Sequence, residues 1–279
     1  MTVLGVLSVY LFITAPAPLE DNKVETFTVP IETALKILEE ENDAARNLYT
    51  KAIVGAGTKQ KIKFDENWEE EEVFAGPLPA QFLKLSATAL EKSPIQLGLF
   101  LGSDYSINQA NDFEGEQKEN FNYVRKTREA IFFYSADSGR YAYMAPDIAS
   151  VKPCVTCHNE HDESPKTDWK LNDVMGATTW TYPKQEVGYK ELLDMIDALH
   201  TAFGFAYETV LNTSKQMTPA PIIGKRWPKD GLFLPSAEVF MKEFSSLSAS
   251  RTLQTILQAT KKEVLKETKT KTAKNDNPV

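Results

Sequence analysis

The chain has 279 residues, 42% hydrophobic and 25% charged, enough to bury a sizeable core as one large domain or two modest ones. A net charge of -8 argues against nucleic acid as a partner. No Gly-rich phosphate loop, serine-nucleophile elbow or internal repeat is present.

Residues 1–15 (MTVLGVLSVYLFITA) are apolar and uncharged. As a helix they would span roughly 22 Å, short of a hydrocarbon core of about 30 Å. A basic n-region is missing, and Pro18 disfavours cleavage after Ala15-Pro16-Ala17. The expectation is a membrane anchor or uncleaved signal, with a buried strand or helix as the alternative. A Pro-containing linker completes residues 1–23.

A long amphipathic helix is expected from Pro30. Ile31, Leu35, Leu38, Ala45, Leu48, Tyr49 and Ala52 fall near one face, Glu39, Glu40, Glu41 and Arg46 on the other, and Gly55 and Gly57 end it. The acidic run 65–72 (DENWEEEE) reads as a solvated loop, or as a docking site for a basic partner. A helix follows near 80–90, with Phe82, Leu85 and Ala89 inward. Residues 96–101 (QLGLFL) read as a strand, 104–111 as turn-rich, and 112–128 as leading into a polar helix. Residues 130–134 and 140–144 form a hairpin around Gly139. After a loop containing both cysteines, residues 175–182 form another strand. Beyond Pro183, Leu192, Leu193, Ile196, His200, Phe203, Tyr207 and Val210 recur at helical spacing. Ser236 is placed to cap a short helix through Phe244. A last helix covers about 250–266, and a lysine- and threonine-rich tail frays. This order fits an α+β fold: an antiparallel sheet with helices packed on one side.

The cysteine loop reads Pro153-Cys154-Val155-Thr156-Cys157-His158. C-x-x-C-H is the attachment signal for c-type haem. Two thiols this close can each add across one porphyrin vinyl group, and the adjacent His158 then serves as proximal iron ligand. The alternatives are a redox dithiol, which should open a helix after a βαβ pattern, and zinc held by Cys154, Cys157, His158 and His161. A structural disulfide would close a tiny loop and gain little. Covalent haem attachment outside the bacterial cytoplasmic membrane and an N-terminal export segment support each other.

Together with this loop, the segments Gly98-Leu99-Phe100-Leu101-Gly102-Ser103, Asn111-Asp112-Phe113-Glu114, Phe132-Phe133-Tyr134 and Asp173-Val174-Met175-Gly176-Ala177 are similar to a bacterial family of extracytoplasmic c-haem domains. That family, long catalogued as a domain of unknown function, has a PAS-like fold and sits at the input end of membrane receptors and cyclases. The similarity covers roughly residues 30–185, and the segment 227–240. It implies Cys154 and Cys157 as thioether sites, His158 as proximal ligand and one covalent haem c. With the elements read above, the expected division is a PAS-like c-haem domain over residues 24–185, extended by helices over 186–260 and a basic flexible tail over 261–279. Some members carry a cysteine near the first long helix as second axial ligand. Residues 49–58 hold none here, which leaves the sixth position open.

Candidates for that position are His200 on an apolar helix face, His161, Met144 and Met175, each of which ordinary packing would also explain. An open or water-bound iron is the further possibility. Lys152, Lys166, Lys170 and Arg140 could meet haem propionates or simply be solvated. Trp169 and Trp180 could wall the haem or belong to the core. The expectation is a haem sensor of redox state or a small ligand, passing its signal to a partner on the periplasmic side of the inner membrane. The competing classes are an electron-transfer cytochrome docked to a membrane complex and, at a distance, a haem enzyme using His200 or His161 as its acid–base group.

Overall fold

The computed structural model describes residues 28–275, with side chains through residue 258. Strand β1 (Thr28–Pro30) runs straight into helix α1 (Ile31–Leu48). Ala34, Leu35, Leu38, Ala45 and Leu48 are buried along it, as the helical period requires. The helix does not end at the expected glycines. It continues as a π-helical segment (Tyr49–Gly55) and a short helix α2 (Ala56–Lys59). Gly57 serves contact rather than termination: a Cβ there would stand 3.1 Å from the Phe64 ring.

Helix α3 (Pro79–Glu91) starts with proline in its first turn, and the Gln81 side chain accepts from the Leu78 N–H at 2.8 Å. Next come β2 (Gly98–Gly102), α4 (Gly115–Thr127), β3 (Ile131–Ser135), β4 (Arg140–Ile148), α5 (Lys152–Glu160) and β5 (Val174–Tyr182). β6 (Glu186–Gly188) pairs with β1 and launches α6 (Tyr189–Ser214). A small parallel pair, β7 (Ile222–Gly224) and β8 (Phe233–Pro235), precedes α7 (Ala237–Asn275). Ser236 caps α7 as expected, its Oγ accepting from Val239 N at 3.4 Å. The two expected C-terminal helices are one. Residues 245–250 hold no glycine or proline, and Ser248 and Ser250 donate back to the carbonyls of Ser245 and Leu247 within the helix.

The main sheet has the order β2-β5-β4-β3, all antiparallel. Its two faces follow the alternation of the strands. Leu99, Leu101, Phe132, Tyr141, Tyr143, Trp180 and Tyr182 face the large core made with α1, α3, α6 and α7. Phe100, Ile131, Phe133, Met144 and Ala177 face the other way, onto Phe113 and onto Phe121 and Val124 of α4. The α+β fold with an antiparallel sheet, flanking helices, a long N-terminal helix and a C-terminal helical extension is therefore present. The sheet is covered on both faces, not one. Helix α4, polar in composition, still places Phe121 and Val124 on the stripe that seals the second face.

Close approach of β2 and β5 depends on a glycine. A Cβ at Gly176 would stand 2.5 Å from the Gly102 carbonyl oxygen.

Glu39 and Glu41 were expected on the face opposite the apolar stripe, and both are buried. Helix α1 is central, packed by the sheet on one side and by α6 and α7 on the other, so both carboxylates are enclosed and hydrogen-bonded. The Trp180 indole donates to Glu39 at 2.6 Å, and Thr252 donates to Glu41 at 2.7 Å.

Membrane attachment is also corrected. No helix among the described residues is long and apolar enough to cross a membrane. The apolar stretch 1–15 and the linker to residue 23 lie outside the described residues, as do the side chains of the expected tail. The N-terminal anchor, and the inner-membrane placement derived from it, are not carried forward.

Phe82 is fully buried, stacked on Tyr49 at 4.3 Å and flanked by Phe203 and Phe240. Phe82→Ala is expected to cost about 3–5 kcal/mol, measured as a lowered urea midpoint with an unchanged slope. An unshifted midpoint would contradict this packing.

Candidate functional site

The cysteine loop is a helix. Residues Lys152–Glu160 form α5, with Pro153 in its first turn, where its missing N–H is harmless. Helical geometry sets Cys154, Cys157 and His158 at i, i+3 and i+4, and so on one face. None of the α5 residues is fully buried. Cys154 is half-buried, Cys157 is exposed, and neither is in a disulfide. Cys154 and Val155 anchor the helix against Ala149, Trp169 and Met175, with Tyr105 alongside. Asn159 fastens it further: its side-chain Nδ2 donates to the Trp169 carbonyl at 3.0 Å, and its Oδ1 accepts from the Trp169 N–H at 2.8 Å.

The electrostatics separate the chemical readings. Burial pushes the Cys154 thiol up. Burial pushes Cys157 up too, helped by the charge of Glu66. Both are neutral thiols at neutral pH, whereas a working redox dithiol needs a depressed thiolate. The motif does open a helix, but it lies between β4 and β5, which pair antiparallel, so the βαβ setting is missing. Among the described residues, no group of three or more His, Cys, Asp or Glu is placed to hold a metal ion. The zinc reading thus lacks a ligand set there. Burial lowers His158, against the nearby charge of Asp147, and keeps its imidazole neutral, the form that ligates a metal. Its Nδ1 is buried without a hydrogen-bond partner.

A haem fits this donor set differently from zinc. It asks for two free thiols and one neutral imidazole on a common face, and the porphyrin supplies the remaining nitrogens. Cys154, Cys157 and His158 meet that demand.

The sixth-ligand candidates scatter. His200 lies on α6, its Nε2 2.5 Å from Glu41 Oε2 and its ring edge-on to Phe244. Met144 is fully buried among the residues under α4. His161 follows the last turn of α5, and its Nε2 is bonded to Glu66 at 2.8 Å. Met175 alone of these four shares a cluster with Cys154. Of the proposed propionate partners, Arg140 is taken up by Thr181 and the Gln96 carbonyl at the opposite end of β4, and Lys152 and Lys170 stay exposed. Lys166 stands 4.7 Å from the Trp169 ring centre. Trp180 is part of the main core.

A polar relay behind the motif had no signal in the sequence. Arg46 of α1 pairs with Asp147 of β4, and the two lie close enough to α5 to act electrostatically on Cys154. An open cleft of about 530 Å³ between α3 and α6, lined by Ile95, Asp194, Asp197 and Phe205, does not border the motif.

Residues 104–183 match the Tll0287-like family model. The match runs from the end of β2 through β5 and includes Cys154, Cys157 and His158. The chain matches no curated protein and no solved structure.

Glu39 ties this relay to solution pH. Burial, reinforced by the charge of Asp43, holds its carboxyl well above the usual range. A raised carboxyl binds its proton more tightly when folded. Its contribution to stability is therefore full below the ordinary carboxylate value and is lost as pH rises through the raised one. Glu39→Gln should flatten the fall in melting temperature that follows as pH rises above the ordinary carboxylate range. Asp43, raised by burial too, should leave a residual slope. Parallel profiles for the two proteins would rule Glu39 out as the source.

Proposed function

We propose that the chain is a monohaem c-type protein whose covalently held iron responds to redox state or to a small ligand. The observation that carries this is the common face of α5: two unpaired neutral thiols at i and i+3, with a neutral imidazole at i+4.

When bound, the group supplies a one-electron iron couple and an axial coordination position. The chain's own residues supply the rest. Each thiol would add its S–H across one vinyl double bond, forming an S–C and a C–H bond, so no oxidant would be consumed. His158 presents a lone pair one turn from the first sulfur. The Asn159–Trp169 clamp keeps α5 from rotating, and Met175 and Trp169 shield the Cys154 side from water. His200 and His161 are engaged by Glu41 and Glu66, and Met144 by the core under α4. A bound iron would then be left accessible, or be met by Met175, rather than by one of these histidines.

One observation favours electron transfer as the second reading. Helix α5 buries no residue fully and leaves Cys157 exposed, so the motif lies at the surface, where a redox partner could approach.

Expression in cells that mature c-type cytochromes tests these readings. The purified protein should give a c-type pyridine haemochrome, and Cys154→Ala with Cys157→Ala should remove covalent haem. A CO-shifted Soret band in the reduced protein supports ligand sensing. A six-coordinate low-spin spectrum in both states with no CO adduct supports electron transfer or redox sensing. No covalent haem in the wild type would defeat the proposal.

A further inference from the structure

Two tryptophans lie near the motif or its supporting sheet, and they differ in one respect. The Trp180 N–H is spent on Glu39. Trp169 is only 5% exposed, and its indole Nε1 is buried with no hydrogen-bond partner. The indole nitrogen can only donate. A buried donor left unpaired is costly and uncommon in folded proteins, so one held in place points to an acceptor that arrives from outside the chain.

Trp169 is held in place. Both its backbone N–H and its carbonyl are bonded to the side chain of Asn159, the residue after His158. The indole thus has a set position relative to the motif helix, and it packs in the same cluster as Cys154 and Met175. A cation accompanies it. Lys166 Nζ lies 4.7 Å from the Trp169 ring centre and 5.9 Å from that of Tyr105, which meets Trp169 edge-on at 5.8 Å. Lys166 also pairs with Asp168, whose side chain is 79% exposed. A surface pair of this kind holds the lysine only weakly. The other cation over Tyr105, Arg125, is 3.5 Å from Asp104 and so is already matched.

A desolvated N–H donor beside a weakly held ammonium is a receptor for a carboxylate, because charge-assisted hydrogen bonds are strongest where water is excluded. We infer that Trp169 and Lys166 form a carboxylate-binding corner next to α5 that holds a propionate of the tetrapyrrole attached at Cys154 and Cys157. The inference rests on the haem reading above, and it assigns the propionate to two residues that the attachment motif does not include.

Trp169→Phe removes the N–H together with the pyrrole part of the indole and keeps an aromatic ring. Its stability is compared with wild type in the haem-bearing protein and in the same chain expressed without haem attachment. In the haem-bearing protein the unfolding equilibrium should shift by ten- to about a hundredfold toward unfolding, the range for a charge-assisted hydrogen bond. In the haem-free chain only the packing lost with the pyrrole ring counts, so the shift toward unfolding should be clearly smaller. Lys166→Met should show the same pattern with a smaller loss. Equal losses in both forms would assign Trp169 to packing, and no loss in either would leave the N–H to solvent. Both results overturn the inference. The propionate bending bands in the resonance Raman spectrum of the reduced protein give an independent readout. They should shift in Trp169→Phe, and unshifted bands overturn the inference even if the haem-free chain does not fold. Wild type without covalent haem, judged by the pyridine haemochrome, defeats the haem reading and this one with it. Wild type with haem but no difference between the two forms defeats this one alone.

Discussion

Helix α1 delivers polar side chains into the sheet, and the rest of the architecture is arranged to satisfy them. Glu39 takes the Trp180 indole N–H of β5, and Arg46 pairs with Asp147 of β4. A buried carboxylate or guanidinium without such partners would be expensive. These bonds therefore set both the rotation of α1 about its axis and its slide along the sheet, which apolar packing alone specifies poorly. With α1 in register, Tyr49 falls onto Phe82, and Glu41 meets His200 and Thr252. One helix thereby joins the sheet, α3, α6 and α7.

Helix α5 stands in contrast to this frame. It follows β4 directly after the strand that carries Asp147, and it buries none of its own residues fully. Its position is held from outside, by the Asn159–Trp169 clamp, by Cys154 and Val155 on the neighbouring cluster, and by His161 bonded to Glu66. A short exposed helix of this kind has little stability of its own. The scaffold, rather than the helix, supplies the anchoring.

Much of the architecture was legible from periodicity. The alternating strands of the main sheet, the hairpin at Gly139, the long helix from Pro30 and the Ser236 cap all follow from local rules that operate over a few residues. The errors fell where local rules compete with distant contacts. Gly55 and Gly57 looked like stops, but Gly57 makes room for Phe64. Glu39 and Glu41 fell on the polar face of the helix, but they are buried because their partners lie far along the chain at Trp180, His200 and Thr252. Two helices were expected around residues 245–249, yet serines that bond back to their own helix do not interrupt it. At the site, the spacing of Cys154, Cys157 and His158 was legible because all three lie within about one helical turn of sequence. The burial of their thiols, the clamp at Asn159 and the unpaired indole of Trp169 were not.

The sequence by itself determined the local elements and the order of the donor atoms in the motif, since both depend on neighbours within one helical turn or one strand. Only the tertiary structure decided which charges are buried, that the sheet is covered on both faces, and which candidate ligands are already engaged. Those outcomes are set by pairs of side chains many residues apart, and no local pattern encodes the free energy of such a pair until the chain has folded around it.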